Sequence, residues 1–139
     1  MAPASNSSEA EERLCVLVVD DSPTMRRSVT LTLELTGVRV VSAADGHEAL
    51  RHIQGGLKPD LLLTDIVMPG MDGLQLIREA RRLLRFTPIV ALTTQSQQHL
   101  RDEGRAVGAT AWLLKPTGGQ ELVSLVRRFI AGRSPALQA

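Results

Sequence analysis

At 139 residues, 43% hydrophobic and 22% charged, the chain has the length and composition of one ordinary globular domain. A net charge of +1 argues for no nucleic-acid or anionic-lipid surface, no apolar run is long enough to span a bilayer, and the first residues lack a hydrophobic signal core, so a cytoplasmic protein without membrane contact is expected. The single cysteine, Cys15, lies in an apolar run and excludes a disulfide framework or a cysteine zinc site.

Residues 1–13, "MAPASNSSEAEER", are small, polar and acidic and read as a disordered tail. A first strand is predicted over Leu14–Val19, ending in Asp20-Asp21. Ser22 then caps a helix over Pro23–Leu35, with proline in the favoured first turn and Gly37 beyond its end. A second strand, Arg39–Ala43, ends in an unremarkable Asp45-Gly46 turn, and a helix over Gly46–Gln54 stops at Gly55-Gly56. A third strand, Asp60–Thr64, delivers Asp65, and Asp72 caps a helix over Gly73–Leu84. A fourth strand, Pro88–Leu92, runs into Thr93-Thr94, followed by a helix over Gln95–Val107 that stops at Gly108. The fifth strand, Ala111–Leu114, ends at Lys115, a helix covers Gly119–Ile130, and residues 132–139 read as a flexible tail. Residues 14–131 thus form one folded domain. Strands 1, 3 and 4 are nearly continuously apolar, as in a parallel sheet covered on both faces, and strict βα alternation implies a doubly wound α/β fold.

Ligands of such sheets bind beyond the carboxyl ends of the strands. The first polar residues there are Asp20, Asp21, Asp65, Thr93 and Lys115, and Lys115 is one of only two lysines in the chain. Two carboxylates about 5 Å apart at an effective dielectric near 20 repel by roughly 3 kcal/mol, a cost that calls for a counterion. Hard oxygen ligands favour Mg²⁺, with Lys115 and Thr93 then available to oxygens of a phosphoryl group. The chemistry so implied is attack by an aspartate on phosphorus to give an acyl phosphate.

The segments "LVVDDSPTMRR", "LLLTDIVMPGMDGLQLIR", "PIVALTT" and "GATAWLLKP" together resemble the receiver domain of two-component response regulators, particularly the stand-alone chemotaxis type. The resemblance spans about Leu14 to Ile130 and implies a flavodoxin-like five-stranded parallel sheet of order 2-1-3-4-5. By it, Asp65 is the phosphoacceptor, served by a histidine kinase or phosphotransfer protein. Asp20, Asp21, Asp65 and the backbone carbonyl of Val67 are the Mg²⁺ ligands. Lys115 and Thr93 contact the phosphoryl group, Thr93 and Trp112 form the switch, and the bond to Pro116 is cis. The chain holds no further output segment in this reading, so an output protein is expected to dock on the face of helix 4, strand 5 and helix 5. Thr94, the uncharged run Gln95-Ser96-Gln97-Gln98, Thr117, Gly118-Gly119 and the apolar Val67 depart from the commonest receiver pattern.

Other residues have plainer readings. The methionines after Asp65 serve packing. His47, His52 and His99 are solvated, Lys58 is a loop lysine, and Arg26-Arg27 and Arg81-Arg82 lie on exposed faces. Competing functions are a phosphorelay intermediate or phosphate sink, and a receiver-shaped scaffold that is never phosphorylated. A metal-dependent phosphohydrolase is disfavoured by the lack of a second acid/base pair.

Overall fold

In the computed structural model, residues 14–115 and 118–130 are described. The expected tails at 1–13 and 132–139, the bond to Pro116 and the Thr117 position lie outside the described residues. Five strands alternate with five helices: β1 Cys15–Val19, α1 Pro23–Glu34, β2 Arg39–Ala43, α2 Gly46–Gln54, β3 Leu61–Thr64, α3 Gly73–Leu83, β4 Ile89–Thr93, α4 Gln98–Val107, β5 Ala111–Leu114 and α5 Gly119–Ile130. All strand pairs are parallel, in the order β2-β1-β3-β4-β5. This is the expected flavodoxin-like arrangement.

The apolar strands are buried because successive side chains serve opposite cores. Leu17, Val19, Leu62, Ile89 and Ala91 pack with the inner faces of α2 and α3. Val16, Val18, Leu61, Leu63, Val90 and Leu92 pack with Val29 and Leu33 of α1 and Leu122, Val126 and Ile130 of α5. Cys15 is buried, and burial pushes its thiol pKa up, so it behaves as a small neutral hydrophobe. Met68 and Met71 join the first core, with Met71 against Gly46, in keeping with a packing role.

Local chemistry sets the helix ends. Ser22 Oγ accepts from Met25 N at 3.3 Å, and Asp72 Oδ1 accepts from Gln75 N at 2.9 Å, as the N-cap readings required. The Asp45 turn is more than a turn: Asp45 Oδ1 accepts from Glu48 N, while Glu48 Oε1 accepts from Ala44 N, both at 2.8 Å. The pair resembles a capping box, with the glutamate accepting from the residue before the cap rather than from the cap itself. Gly37, Gly56 and Gly108 adopt φ of 90°, 113° and 118°, the left-handed stop expected at these ends.

Several boundaries shift. β1 starts at Cys15, and β3 starts at Leu61 because Asp60 instead takes up the Cys15 backbone, its Oδ2 accepting from Cys15 N at 2.9 Å. β4 runs one residue later at both ends, so Thr93 is its last residue, and α1 and α3 each end one residue early. The largest change is α4, which starts at Gln98 rather than Gln95. Gln95 N–H is held by Thr93 Oγ1 and its carbonyl accepts from Trp112 Nε1, so the chain leaves β4 as a loop before it can coil.

Arg81 is not on a solvated face. Its guanidinium donates to the backbone carbonyls of Gly108 (2.7 Å), Thr87 (2.7 Å), Leu84 (2.9 Å) and Arg85 (3.2 Å), joining the end of α3 to the loops that precede β4 and β5. A planar group with five donors suits this task, and pair-counting along a helix gives no sign of it. Arg26 is likewise half-buried, whereas Arg27 and Arg82 are exposed as expected. His47 and His99 are exposed, and His52 is half-exposed with Nε2 3.9 Å from Glu48 Oε2.

Replacing Arg81 by Met leaves those carbonyls without their donor, and urea unfolding should show a loss of about 2–3 kcal/mol. A loss under about 0.5 kcal/mol, typical of a surface site, would return Arg81 to an exposed face.

Candidate functional site

Register brings the acidic residues together. Val19 of β1 pairs with Thr64 of β3, so the next residue on each strand, Asp20 and Asp65, emerges side by side at the carboxyl edge. Thr93 of β4 pairs with Leu114 of β5, which brings Lys115 to the same edge. Asp20 is only 5% exposed and Thr93 0%, while Asp21 is exposed and Asp65 half-buried.

The backbone fixes these groups closely. Asp20 N donates to Ala43 O at 3.2 Å, and Asp65 N donates to Val19 O at 2.9 Å. Asp20 Oδ1 accepts from Ser22 N at 2.9 Å, and Asp65 Oδ1 accepts from Ile66 N at 2.7 Å. Each second oxygen receives the same ammonium: Lys115 Nζ lies 2.6 Å from Asp20 Oδ2 and 3.1 Å from Asp65 Oδ2. Gly73, at the start of α3, packs directly under this site. A Cβ there would collide with the Asp65 carbonyl oxygen and lie 2.6 Å from Ile66 Cα, so the loop after β3 closes tightly only over glycine.

Carboxylate oxygens of Asp20, Asp21 and Asp65 lie within 4.8 Å of one another. Each pair at that distance repels by roughly 3 kcal/mol at an effective dielectric near 20. Lys115 offsets part of this. Burial by itself pushes its ammonium pKa down, but the hydrogen bond it donates to Asp20 and the charges of Asp65 and Asp20 outweigh it, and the pKa is raised. Asp21 has no share in that contact, and its exposed carboxylate leaves the cluster with more negative than positive charge. Three hard oxygen donors converging at one exposed mouth fit a small divalent cation such as Mg²⁺.

Thr93 Oγ1 accepts from Gln95 N at 3.2 Å, and the carbonyl of Gln95 accepts from Trp112 Nε1 at 2.7 Å. One peptide group thus ties the strand-end hydroxyl to the tryptophan. Trp112 is half-buried with its ring against Gly104, where an added Cβ would lie 2.7 Å from Cζ3. Val67, two residues past Asp65, is 60% exposed.

Sequence reasoning missed two members of this neighbourhood. Arg26 Nη1 donates to the Asp20 carbonyl at 2.7 Å, one turn into α1, and so braces the Asp20-Asp21 peptide. The Gln95 bridge is a backbone contact, invisible to side-chain chemistry. The only signal for either was proximity in sequence to a strand end.

A parallel α/β sheet whose carboxyl edge gathers three aspartates around a lysine, beside a buried threonine, defines a receiver-type signalling domain. Residues 16–127 match the response regulator receiver domain, and the chain belongs to that family. It is 31% identical over 129 residues to protein PilG of Pseudomonas aeruginosa, covering 91% of this chain and 95% of PilG. It is 37% identical over 131 residues to response regulator Rre1 of Synechocystis, covering 92% of this chain but only 56% of Rre1, so it spans about half the length of that relative. Its fold matches the structure of chemotaxis protein CheY4 of Vibrio cholerae with a TM-score of 0.80 and 39% identity, over 84% of this chain and 98% of that one. The protein is thus a response regulator receiver domain of two-component signalling with chemotaxis-type relatives, and none of its described helices is long and apolar enough to cross a membrane.

A raised lysine pKa means that the ammonium stabilises the fold fully below its unfolded value of 10.5, and that this stability is lost as pH rises through the higher folded value. Lys115→Met should therefore cost stability at pH 7 to 9, with the difference from wild type shrinking only above about 10.5. Urea unfolding across that range checks it, and a pH-independent difference would contradict it. Gly73→Ala should displace Asp65 as well as destabilise the fold by about 2 kcal/mol or more, read by urea unfolding and by loss of divalent-cation binding.

Proposed function

We propose that the protein is a phosphorylation-controlled signalling switch in which Asp65 accepts a phosphoryl group from a histidine kinase or phosphotransfer protein. The observation that carries this reading is the Lys115 ammonium shared between the carboxylates of Asp65 and Asp20, with Asp21 beside them. In the transfer, a carboxylate oxygen of Asp65 forms a bond to phosphorus while the phosphorus–nitrogen bond of the donor phosphohistidine breaks. The imidazole leaves with the electron pair and is protonated.

Asp20, Asp21, Asp65 and the backbone carbonyl of Val67 would hold Mg²⁺. The bound ion would supply charge neutralisation at the phosphoryl oxygens. Lys115 is already hydrogen-bonded to Asp65 and serves as the fixed cation for the new phosphoryl group. Asp65 itself is pre-set by Ile66 N–H and by the Asp65 N–H bond to Val19, so little reorganisation is needed at the acceptor. Thr93 Oγ1 already accepts from Gln95 N, so its own hydrogen is available to donate to a phosphoryl oxygen. Movement of that hydroxyl would strain the Gln95 peptide and loosen Trp112, making phosphorylation a bias between two arrangements of this loop.

In this reading the folded unit is residues 14–131, it acts in the cytoplasm, and its output is altered affinity for a protein docking on α4, β5 and α5. The match over nearly the full length of PilG and CheY4 supports a regulator of chemotaxis receiver type.

Incubation with a small phosphodonor and Mg²⁺ should label wild-type protein on Asp65, with Asp65→Asn unlabelled by mass spectrometry. Beryllofluoride should change the emission of Trp112, the only tryptophan. Labelling that persists in Asp65→Asn would move the acceptor elsewhere, and no labelling of the wild type would favour the scaffold reading.

A further inference from the structure

Asp20 and Asp21 are held very differently. Each polar group of Asp20 has a partner: its N–H donates to Ala43 O, Oδ1 accepts from Ser22 N, Oδ2 accepts from Lys115 Nζ, and its carbonyl accepts from Arg26 Nη1 at 2.7 Å. The exposed Asp21 carboxylate makes no hydrogen bond or ion pair with a described residue. Its direction is therefore set by the backbone that carries it, and first by the peptide between Asp20 and Asp21. The carbonyl of that peptide is the one Arg26 holds. Arg26 also stands where local rules disfavour it. Its N–H donates to Ser22 O at 2.9 Å, and Ser22 is the N-cap, so Arg26 lies in the first turn of α1, at the positive end of the helix dipole. No acidic residue occupies that turn to offset the charge. Arg26 is nonetheless half-buried, with its guanidinium turned back six residues to one carbonyl. A local rule broken for one specific contact points to a task at the site rather than in the helix.

We infer that Arg26 is a positioning residue for divalent-cation binding and acts through Asp21. By holding the Asp20 carbonyl it fixes the peptide from which Asp21 projects, and so aims an otherwise unsupported carboxylate at those of Asp20 and Asp65. The inference rests on the reading of this edge as a cation site and goes beyond it by naming what sets the affinity. Two effects of the guanidinium oppose one another. Its hydrogen bond orders the Asp20-Asp21 peptide before the cation arrives, which strengthens binding. Its positive charge repels the cation, which weakens binding. The repulsion acts at an exposed mouth, where water and salt screen it. Groups that orient metal ligands, by contrast, change affinity by about tenfold or more when removed. The hydrogen bond is therefore the larger effect, and losing Arg26 weakens binding although a like charge goes with it.

The probe is Mn²⁺, which shares the oxygen preference of Mg²⁺ and is paramagnetic, so electron paramagnetic resonance counts the free ion during titration of the full chain. Competition by Mg²⁺ then gives the affinity for that ion. Arg26→Met should weaken binding of both ions about tenfold, and Arg26→Lys, which keeps the charge and a donor, should recover part of the loss. Added to Asp21→Asn, Arg26→Met should change the affinity by less than about twofold, because the arginine acts through Asp21. Where Asp21→Asn binds too weakly to titrate, or Arg26→Met does not fold, the comparison of Arg26→Lys with wild type carries the test. Urea unfolding in chelator gives the stability of each variant separately from its affinity. Unchanged affinity with lowered stability would make Arg26 a merely structural residue and overturn the inference. Tighter binding by Arg26→Met, as charge repulsion alone requires, would overturn it too, as would equal losses from Arg26→Met with and without the Asp21 carboxylate. Wild-type protein that binds no Mn²⁺ sinks the cation reading and this inference with it, whereas wild type that binds beside an unaffected Arg26→Met sinks the inference alone.

Discussion

One ammonium group shared by two carboxylates is the contact on which the rest of the site depends. Asp20 and Asp65 leave neighbouring strands at the same height, and that register would force two like charges together were Lys115 not within 2.6 Å and 3.1 Å of them. The lysine comes from β5 at the sheet's edge, with β4 and Thr93 between. Every strand but β2 contributes a group to this edge, and the two cores exist to hold those strands in register. Asp21 is the member left without that compensation, and the three carboxylates together could hold a cation.

Much of this was legible in the sequence because sheet and site obey short-range rules. Continuous apolar runs mark strands covered on both faces, and the first polar residue after each run is at the edge where ligands bind. Asp20, Asp21, Asp65, Thr93 and Lys115 were found that way, and the structure brings them together. The resemblance to receiver domains added the strand order, which the pairing bears out. The less legible features depend on contacts between segments far apart or on the backbone. Arg81 reads as a solvated helix arginine because its acceptors are carbonyls of loops that only the fold brings near. The start of α4 was misplaced because the Gln95 peptide is held by a hydroxyl on one side and an indole on the other. The Asp45–Glu48 pair was within reach of sequence reasoning, since acids three apart before a helix are a known start signal.

The same contacts link the site to the far side of the domain. Trp112 belongs to the first core, lies against α4 at Gly104, and reaches Thr93 through one peptide. Arg81 anchors the opposite end of α4 by its bonds to Gly108. One end of α4 is therefore pinned to α3, while the other follows a loop that answers to Thr93.

Repulsion at the acidic edge should be relieved when a divalent cation joins Lys115. The most direct test of that relief is the melting temperature of wild type and Asp21→Asn, each with chelator and with Mg²⁺. The variant should melt above wild type in chelator, because one repelling carboxylate is gone. Mg²⁺ should raise the wild type by about 4 °C or more and the variant hardly at all. A variant that melts below wild type in chelator, or an equal Mg²⁺-dependent rise in both proteins, would contradict it.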